Sequence, residues 1–148
     1  MDRAGLVTTD RLANALRLML GMTYLGGAVV HLWFWATDRT AYADITEYVQ
    51  FDWYRAIWAD LVVPNLGFLL PVLAVLELGI GLAICSSGRR VRFGQAVGAA
   101  FTLAVAPLGF WWPSNVALAV VHGLLLRRDF PDPVIRPLDR DQLPTRDD

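Results

Sequence analysis

The feature that most constrains this chain is a long apolar run, residues 61–87, that carries a single charged side chain, Glu77. A helix needs about 20 apolar residues to cross the roughly 30 Å hydrocarbon core of a bilayer. Glu77 lies near the middle of the run, where a carboxylate costs roughly 2.5–3.5 kcal/mol on membrane-insertion scales. We therefore expect a transmembrane helix whose Glu77 faces protein, where it needs a partner or a proton.

Two further runs of the sequence carry no charge, residues 18–37 and residues 93–126. The second is too long for one upright span. The sequence WWPSN divides it, because tryptophan prefers the membrane interface and Pro-Ser-Asn is typical of turns. Hydrophobic residues make up 55% of the chain, which is too apolar for an ordinary soluble domain. We predict an all-α fold, an integral membrane four-helix bundle in residues 1–128, with spans at about residues 12–37, 61–87, 93–112 and 113–128.

The connection between the first two spans, residues 38–60, is acidic and rich in aromatic side chains. Apolar side chains recur there at spacings of three and four, which favours a helix. An aromatic, amphipathic helix beside two spans is typical of a segment lying at the membrane interface. We predict an interfacial helix between spans 1 and 2 that caps the bundle. The alternative is a solvated loop with interfacial aromatic residues.

Basic side chains are concentrated at three places in the chain. Three arginines precede the uncharged run of the first span, residues 89–92 hold three more, and residues 127–128 end the fourth span. With four spans all of them fall on one side of the membrane. The positive-inside rule then predicts a multi-pass protein of the bacterial cytoplasmic (inner) membrane with both termini in the cytoplasm. Residues 129–148, rich in Pro, Asp and Arg, are expected to form an extended cytoplasmic tail. Membrane lipids are the expected surroundings, and no nucleic-acid partner is predicted.

Candidate chemistry in the middle of the membrane centres on His31 and Glu77. Counted from the arginines that bound their spans, the two residues lie roughly 21 Å and 18 Å deep at about 1.5 Å per residue. On adjacent antiparallel helices they could therefore share a proton or a charge-assisted hydrogen bond. Tyr24, on the same face as His31, and Thr102 could complete a polar patch that binds a quinone carbonyl or relays a proton. The alternative is a structural hydrogen bond between two helices.

The second histidine, His122, stands in Ala-Val-Val-His, the tetrapeptide that also contains His31. A bis-histidine haem needs both side chains at one depth. His122 lies five residues before Arg127, roughly 7.5 Å from that end of its span at about 1.5 Å per residue. The spacing therefore disfavours haem. No metal-ligand spacing, cysteine pair, nucleophile elbow or phosphate-binding loop occurs, so we predict neither a metal site nor catalytic residues.

Glycines mark the predicted packing faces of the helices. Gly94 and Gly98 form a GxxxG motif on the third span, and Gly79 and Gly81 follow Glu77 on the second. Such residues let helices approach closely, either within one bundle or against another subunit. Other membrane subunits or a second copy of the chain are therefore expected partners.

Two stretches of the sequence carry a family resemblance. Residues 17–27, RLMLGMTYLGG, resemble the first-span pattern of the DoxX-like family of small membrane proteins, and residues 75–83, VLELGIGLA, resemble its second. The layout of residues 12–128 is similar to that family as well. The resemblance implies a four-helix membrane bundle. It also implies a link to redox systems, because some members are subunits of thiosulfate:quinone oxidoreductase and others are linked to oxidative stress.

Two functional hypotheses follow. The first is an accessory or structural subunit of a membrane redox or respiratory complex, since no complete catalytic constellation is present. The alternative is a quinone-interacting redox protein, similar to thiosulfate:quinone oxidoreductase, that uses His31 and Glu77 within the membrane. Any activity would then be that of a quinone-linked oxidoreductase subunit. A transporter fits least, because no inverted repeat long enough for alternating access occurs.

Overall fold

The computed structural model of the chain describes residues 3–109 and 111–134, and it is all-helical. The all-α prediction is confirmed, and no strand occurs within those two ranges. The five α-helices are α1 (Arg3–Thr37), α2 (Asp52–Ile57), α3 (Leu66–Cys85), α4 (Arg89–Val105) and α5 (Trp112–Leu126).

Three helical stretches are long and apolar enough to cross a membrane: Asp10–Thr37, Asp52–Cys85 and Arg89–Leu108. Helix α5 is apolar but shorter, at 15 residues. Large apolar side chains cover the outer surface, and Phe68 and Val75 are each 70% exposed, as expected where lipid rather than water is the surrounding medium. The four-span count and the orientation of the termini stay predictions.

Helix α1 packs along α3, α3 packs against α4, and α4 packs against α5. Glycines allow these close approaches. A Cβ atom at Gly81 would lie 3.0 Å from the carbonyl oxygen of Gly21, and one at Gly94 would lie 2.9 Å from the Cβ of Ala83. A Cβ atom at Gly79 would meet nothing within 4 Å among the described residues. The GxxxG glycine Gly94 therefore packs inside the bundle rather than on its outer surface.

Pro71 lies inside α3, where the missing N–H leaves the carbonyl of Gly67 without its helical partner. In a membrane, a carbonyl freed in this way must be satisfied by a neighbouring group or by water. The indole Nε1–H of Trp35, on α1, donates to it at 2.8 Å. The hydrogen bond ties α1 to the start of α3.

Residues 38–65, which we name the lid, connect α1 to α3 through short turns of 3-10 and π helix on either side of α2. The carboxylate of Asp38 begins the lid by accepting a hydrogen bond from the backbone N–H of Thr40 at 3.0 Å. The lid is fixed to the turn between α4 and α5, since the N–H of Gln50 donates to the carbonyl of Pro107 at 3.1 Å. Gly109, at a φ of +125°, allows close contact with the backbone of Tyr48.

The opposite end of the bundle, which we name the basic end, is organised by Arg17 on α1, whose side chain is 1% exposed. Its guanidinium donates to the carbonyls of Ile84 at 3.2 Å and Ser86 at 2.6 Å, at the end of α3. Cations suit this position, because the last carbonyls of a helix are unpaired and carry partial negative charge.

The first residues of the tail fold back onto the basic end. The ring of Phe130 lies 4.2 Å from the Arg17 guanidinium carbon, and the Phe130 carbonyl accepts a hydrogen bond from the N–H of Gly88 at 2.7 Å. Residues 129–134 are irregular, as expected for the tail, yet packed. Residues 135–148, which complete the predicted tail, lie outside the described residues.

Candidate functional site

A cavity of about 1110 Å³ lies beneath the lid, between it and helices α3, α4 and α5. Its walls are mostly aliphatic and aromatic, with Phe34, Trp58, Leu70, Leu73 and Phe101 among them. Its polar lining includes His31, Tyr42 and Glu77, which contact one another and which we name the lid cluster. A large apolar space with a few converging polar groups is typical of a site for a small lipophilic molecule. We name this space the lid cavity.

The structure brings His31 of α1 and Glu77 of α3 together. The Nε2 of His31 lies 3.2 Å from Oε2 of Glu77, which is within ion-pair distance but without the alignment of a hydrogen bond. Glu77 is 6% exposed, and its Oε2 has no hydrogen-bond partner within residues 3–109 and 111–134. The pair therefore places a buried carboxylate beside an imidazole and next to an apolar cavity. One oxygen of this carboxylate, Oε2, can still accept a hydrogen bond.

Tyr42, in the first turn of the lid, completes the cluster, because its hydroxyl contacts Nδ1 of His31. Burial, and then the negative charge of Glu77, raise the pKa of Tyr42 to about 12, so the phenol keeps its proton at neutral pH. A phenol that donates to Nδ1 leaves the proton of a neutral imidazole on Nε2, facing Glu77. The three side chains thus form one chain of acid–base groups from the lid to α3.

The other two predicted site residues, Tyr24 and Thr102, lie apart from the lid cluster and meet at the carbonyl of Gly98. The hydroxyl of Tyr24 lies 3.0 Å from Nε2 of His122 and 3.1 Å from the carbonyl of Gly98. The Nδ1 of His122 lies 2.5 Å from Oε1 of Gln95. Thr102 donates to the same Gly98 carbonyl at 3.0 Å. We name Tyr24, Gln95 and His122 the core cluster.

The core cluster is sealed between α1, α4 and α5. His122 and Gln95 are both 0% exposed, and the Nε2 of Gln95 has no hydrogen-bond partner among the residues that the structure describes. A Cβ at Gly98 would lie 2.6 Å from Cε1 of His122, so the second glycine of the GxxxG motif makes room for this imidazole. Both nitrogens of His122 are engaged by protein groups, and its cluster is separate from that of His31.

Sequence reasoning missed two members of these clusters. Tyr42 stands 11 residues after His31, and only the reversal of the chain into the lid brings them together. Its sole signal in the sequence is membership of an aromatic connection. Gln95 was visible only as an internal residue of the GxxxG motif, although a lone amide in a charge-free span also indicates a buried hydrogen bond.

Within the described ranges, no group of three or more His, Cys, Asp or Glu side chains could hold a metal ion. Comparisons of the chain with protein-family models, with curated proteins and with solved structures find no match. The resemblance to the DoxX-like family therefore stays a prediction.

Proposed function

We propose that this chain is a quinone-binding protein of a membrane redox system, with the lid cavity as the binding site. The observation that carries the proposal is the cavity of about 1110 Å³, apolar over most of its wall and lined in one part by His31, Tyr42 and Glu77. Its volume is slightly above the range of about 300–1,000 Å³ that is typical of sites for drug-sized ligands, and its walls suit a flat ring with an apolar tail. The Trp58 and Phe101 rings among its walls can pack against such a ring.

The lid cluster supplies the polar chemistry that a quinone needs. A bound quinone takes up two electrons and two protons as its carbonyls become hydroxyls. Hydrogen-bond donors at the quinone carbonyls bind the oxidised form, and groups that exchange protons assist its conversion to the hydroquinone. In the tautomer whose Nδ1 carries the ring proton, His31 donates to the Tyr42 oxygen, and the Tyr42 hydroxyl can then donate to a ligand carbonyl. Glu77 can hold or release a proton beside them. In this proposal the three side chains bind the head of the ligand and relay protons.

The accessory or structural subunit of a larger redox or respiratory assembly, the first hypothesis from the sequence, is the second candidate here, and the two are compatible. In that arrangement the electrons come from a partner subunit, and this chain holds the quinone. The GxxxG glycines pack against Ala83 and His122 inside the bundle, so a partner would use another surface. Two exposed aromatic side chains offer one: Trp53 in the lid and Trp111 at the start of the last helix. Isolation of the lone chain as an active oxidoreductase would contradict this second candidate.

The test is a binding titration on the purified chain in lipid nanodiscs. Decylubiquinone is added, and the quenching of tryptophan fluorescence is followed, since Trp58 and Trp111 line the cavity. We expect saturable binding that Glu77→Gln weakens by about tenfold, the equivalent of about 1.4 kcal/mol. The control is Glu47→Gln, which removes an exposed carboxylate of the lid outside the cavity. Quenching that never saturates, or that is the same in Glu77→Gln and wild type, would overturn the proposal.

A further inference from the structure

We infer that Gly27 is a positioning residue of the quinone site: because Gly27 has no side chain, the carboxyl group of Glu77 can lie against α1, within reach of His31. The inference rests on the proposed function and names a residue that this site depends on. Gly27 lies one helical turn before His31, on the same face of α1.

The space beside Gly27 is filled by the Glu77 carboxyl group. A Cβ atom at Gly27 would lie 2.5 Å from Oε2, 3.0 Å from Cδ and 3.1 Å from Oε1. Carbon atoms in proteins keep about 3.5–4.0 Å from one another at their optimal separation. An alanine at this position therefore cannot coexist with the carboxyl group where it stands.

The carboxyl group, rather than the helix, yields to the added methyl. Glu77 has a flexible side chain, and the lid cavity adjoins it. Displacement away from α1 moves the carboxyl group toward the cavity and away from Nε2 of His31, now 3.2 Å from Oε2. Two consequences follow: the pair of His31 and Glu77 separates, and the carboxyl group enters space that the head of the ligand needs.

Gly26 provides a matched control. It neighbours Gly27 in the same helix, but a Cβ there meets nothing within 4 Å. Both Gly→Ala substitutions gain the same helix propensity. A difference between Gly27→Ala and Gly26→Ala therefore reports the contact with Glu77 and not the backbone.

The experiment is a double-mutant cycle with decylubiquinone in nanodiscs. We expect Gly27→Ala to raise the dissociation constant about tenfold, the equivalent of about 1.4 kcal/mol, with a melting temperature no lower than that of Gly26→Ala. As a single substitution, Glu77→Asp should weaken binding, because its side chain is one methylene shorter and its carboxyl group no longer reaches His31. In the Gly27→Ala background the shorter side chain clears the methyl, so the double variant should bind better than Gly27→Ala. A role in packing alone does not produce this reversal.

Each other result overturns the inference. Equal affinity of Gly27→Ala and Gly26→Ala would show that the contact does not position the carboxyl group. The proposed function would still stand if wild type bound decylubiquinone more tightly than Glu77→Gln. A melting temperature far below that of Gly26→Ala, or no recovery in the double variant, would make Gly27 a packing residue. Absence of saturable binding in the wild type would remove the proposed function and this inference together.

Discussion

His31 and His122 stand in the same tetrapeptide, Ala-Val-Val-His, yet they serve clusters of different kinds. Each imidazole contacts a tyrosine hydroxyl through one ring nitrogen, Tyr42 in one case and Tyr24 in the other. The third member differs. His31 faces a carboxyl group at the edge of a cavity, whereas His122 faces an amide in a sealed core.

The difference shows that the helix opposite each histidine, and not the local sequence, sets what the imidazole can do. An amide neither gains nor loses a proton at neutral pH, so Gln95 makes the core cluster a fixed hydrogen-bonded link between helices. A carboxyl group can do both, and the lid cavity gives it a ligand to act on. We therefore expect substitutions in the core cluster to lower stability and those in the lid cluster to lower quinone affinity.

The largest expected effect is that of His122→Ala on stability. Removing the buried imidazole leaves a void, and it takes a hydrogen-bond partner from both Tyr24 and Gln95. We expect the free energy of unfolding to fall by about 2–4 kcal/mol. The measurement is unfolding by SDS in mixed micelles. Decylubiquinone affinity should be unchanged, and a loss of affinity with full stability would break the comparison.

His31→Ala should have the opposite profile. The His31 side chain is 17% exposed and lines the lid cavity, so its removal should lower the free energy of unfolding by less than about 1 kcal/mol. Decylubiquinone affinity should fall about tenfold, the equivalent of about 1.4 kcal/mol, because Tyr42 and Glu77 both lose the side chain that they contact beside the cavity. His122→Ala is the control. A stability loss as large as that of His122→Ala, with normal affinity, would assign both histidines to structure.

A smaller effect is expected from removing one hydroxyl in each cluster. Tyr42→Phe should weaken decylubiquinone binding about three- to tenfold, since a net hydrogen bond is worth about 0.5–1.5 kcal/mol. Tyr24→Phe should leave affinity unchanged. It should lower the free energy of unfolding by about 1 kcal/mol, because the hydroxyl is buried between His122 and Gly98. Comparing the two variants by affinity and by unfolding tests the division between the lid cluster and the core cluster. A loss of stability in Tyr42→Phe together with a loss of affinity in Tyr24→Phe would contradict it.

The smallest effect is a pH dependence that arises at the start of the lid. Hydrogen bonds from the Thr40 hydroxyl and backbone N–H lower the pKa of Asp38 below its ordinary value of 3.8. A lowered pKa means that this cap is complete above pH 3.8 and is lost as the pH falls through the lowered value. The capped turn carries Tyr42, and Asp38→Ala removes its cap. We therefore expect Asp38→Ala to weaken decylubiquinone binding about twofold at pH 7.

The variant and the wild type should converge in affinity as the pH is lowered past this range. The control is Asp44→Ala, which removes an exposed carboxylate from the neighbouring turn. A difference between Asp38→Ala and wild type that persists undiminished at the lowest pH would rule out the cap as its cause.

The sequence predicts the helical class, because uninterrupted apolar runs have few other solutions. It also predicts the approach of His31 to Glu77, because rise per residue converts sequence distance into depth. Tyr24 lies seven residues before His31, on the same face of α1 but about 10.5 Å away along the helix axis. At that level it meets α4 and α5, at Gly98 and His122. Its partners depend on which neighbour packs at each level of α1.

The lid was harder to predict than the helices. Its turns of 3-10 and π helix have no single repeat, so of the helix that the spacing of its apolar residues predicts, only α2 is α-helical. The contact of Tyr42 with His31 depends on this irregular path, and so does the approach of Tyr48 to Gly109. Such contacts join residues distant in sequence through backbone geometry that no local pattern encodes.

The buried guanidinium of Arg17 sets an order on the assembly of the protein during synthesis. Its carbonyl partners Ile84 and Asp132 lie 67 and 115 residues further along the chain. At about 5–20 residues per second on the ribosome, the last partner arrives roughly 6–23 s after Arg17 itself. Before Ile84 and Ser86 are made, Asn14 is the one of its hydrogen-bond partners among the described residues that is already present in the chain. The first helix to leave the ribosome thus completes its hydrogen bonds only when the segment after α5 is in place.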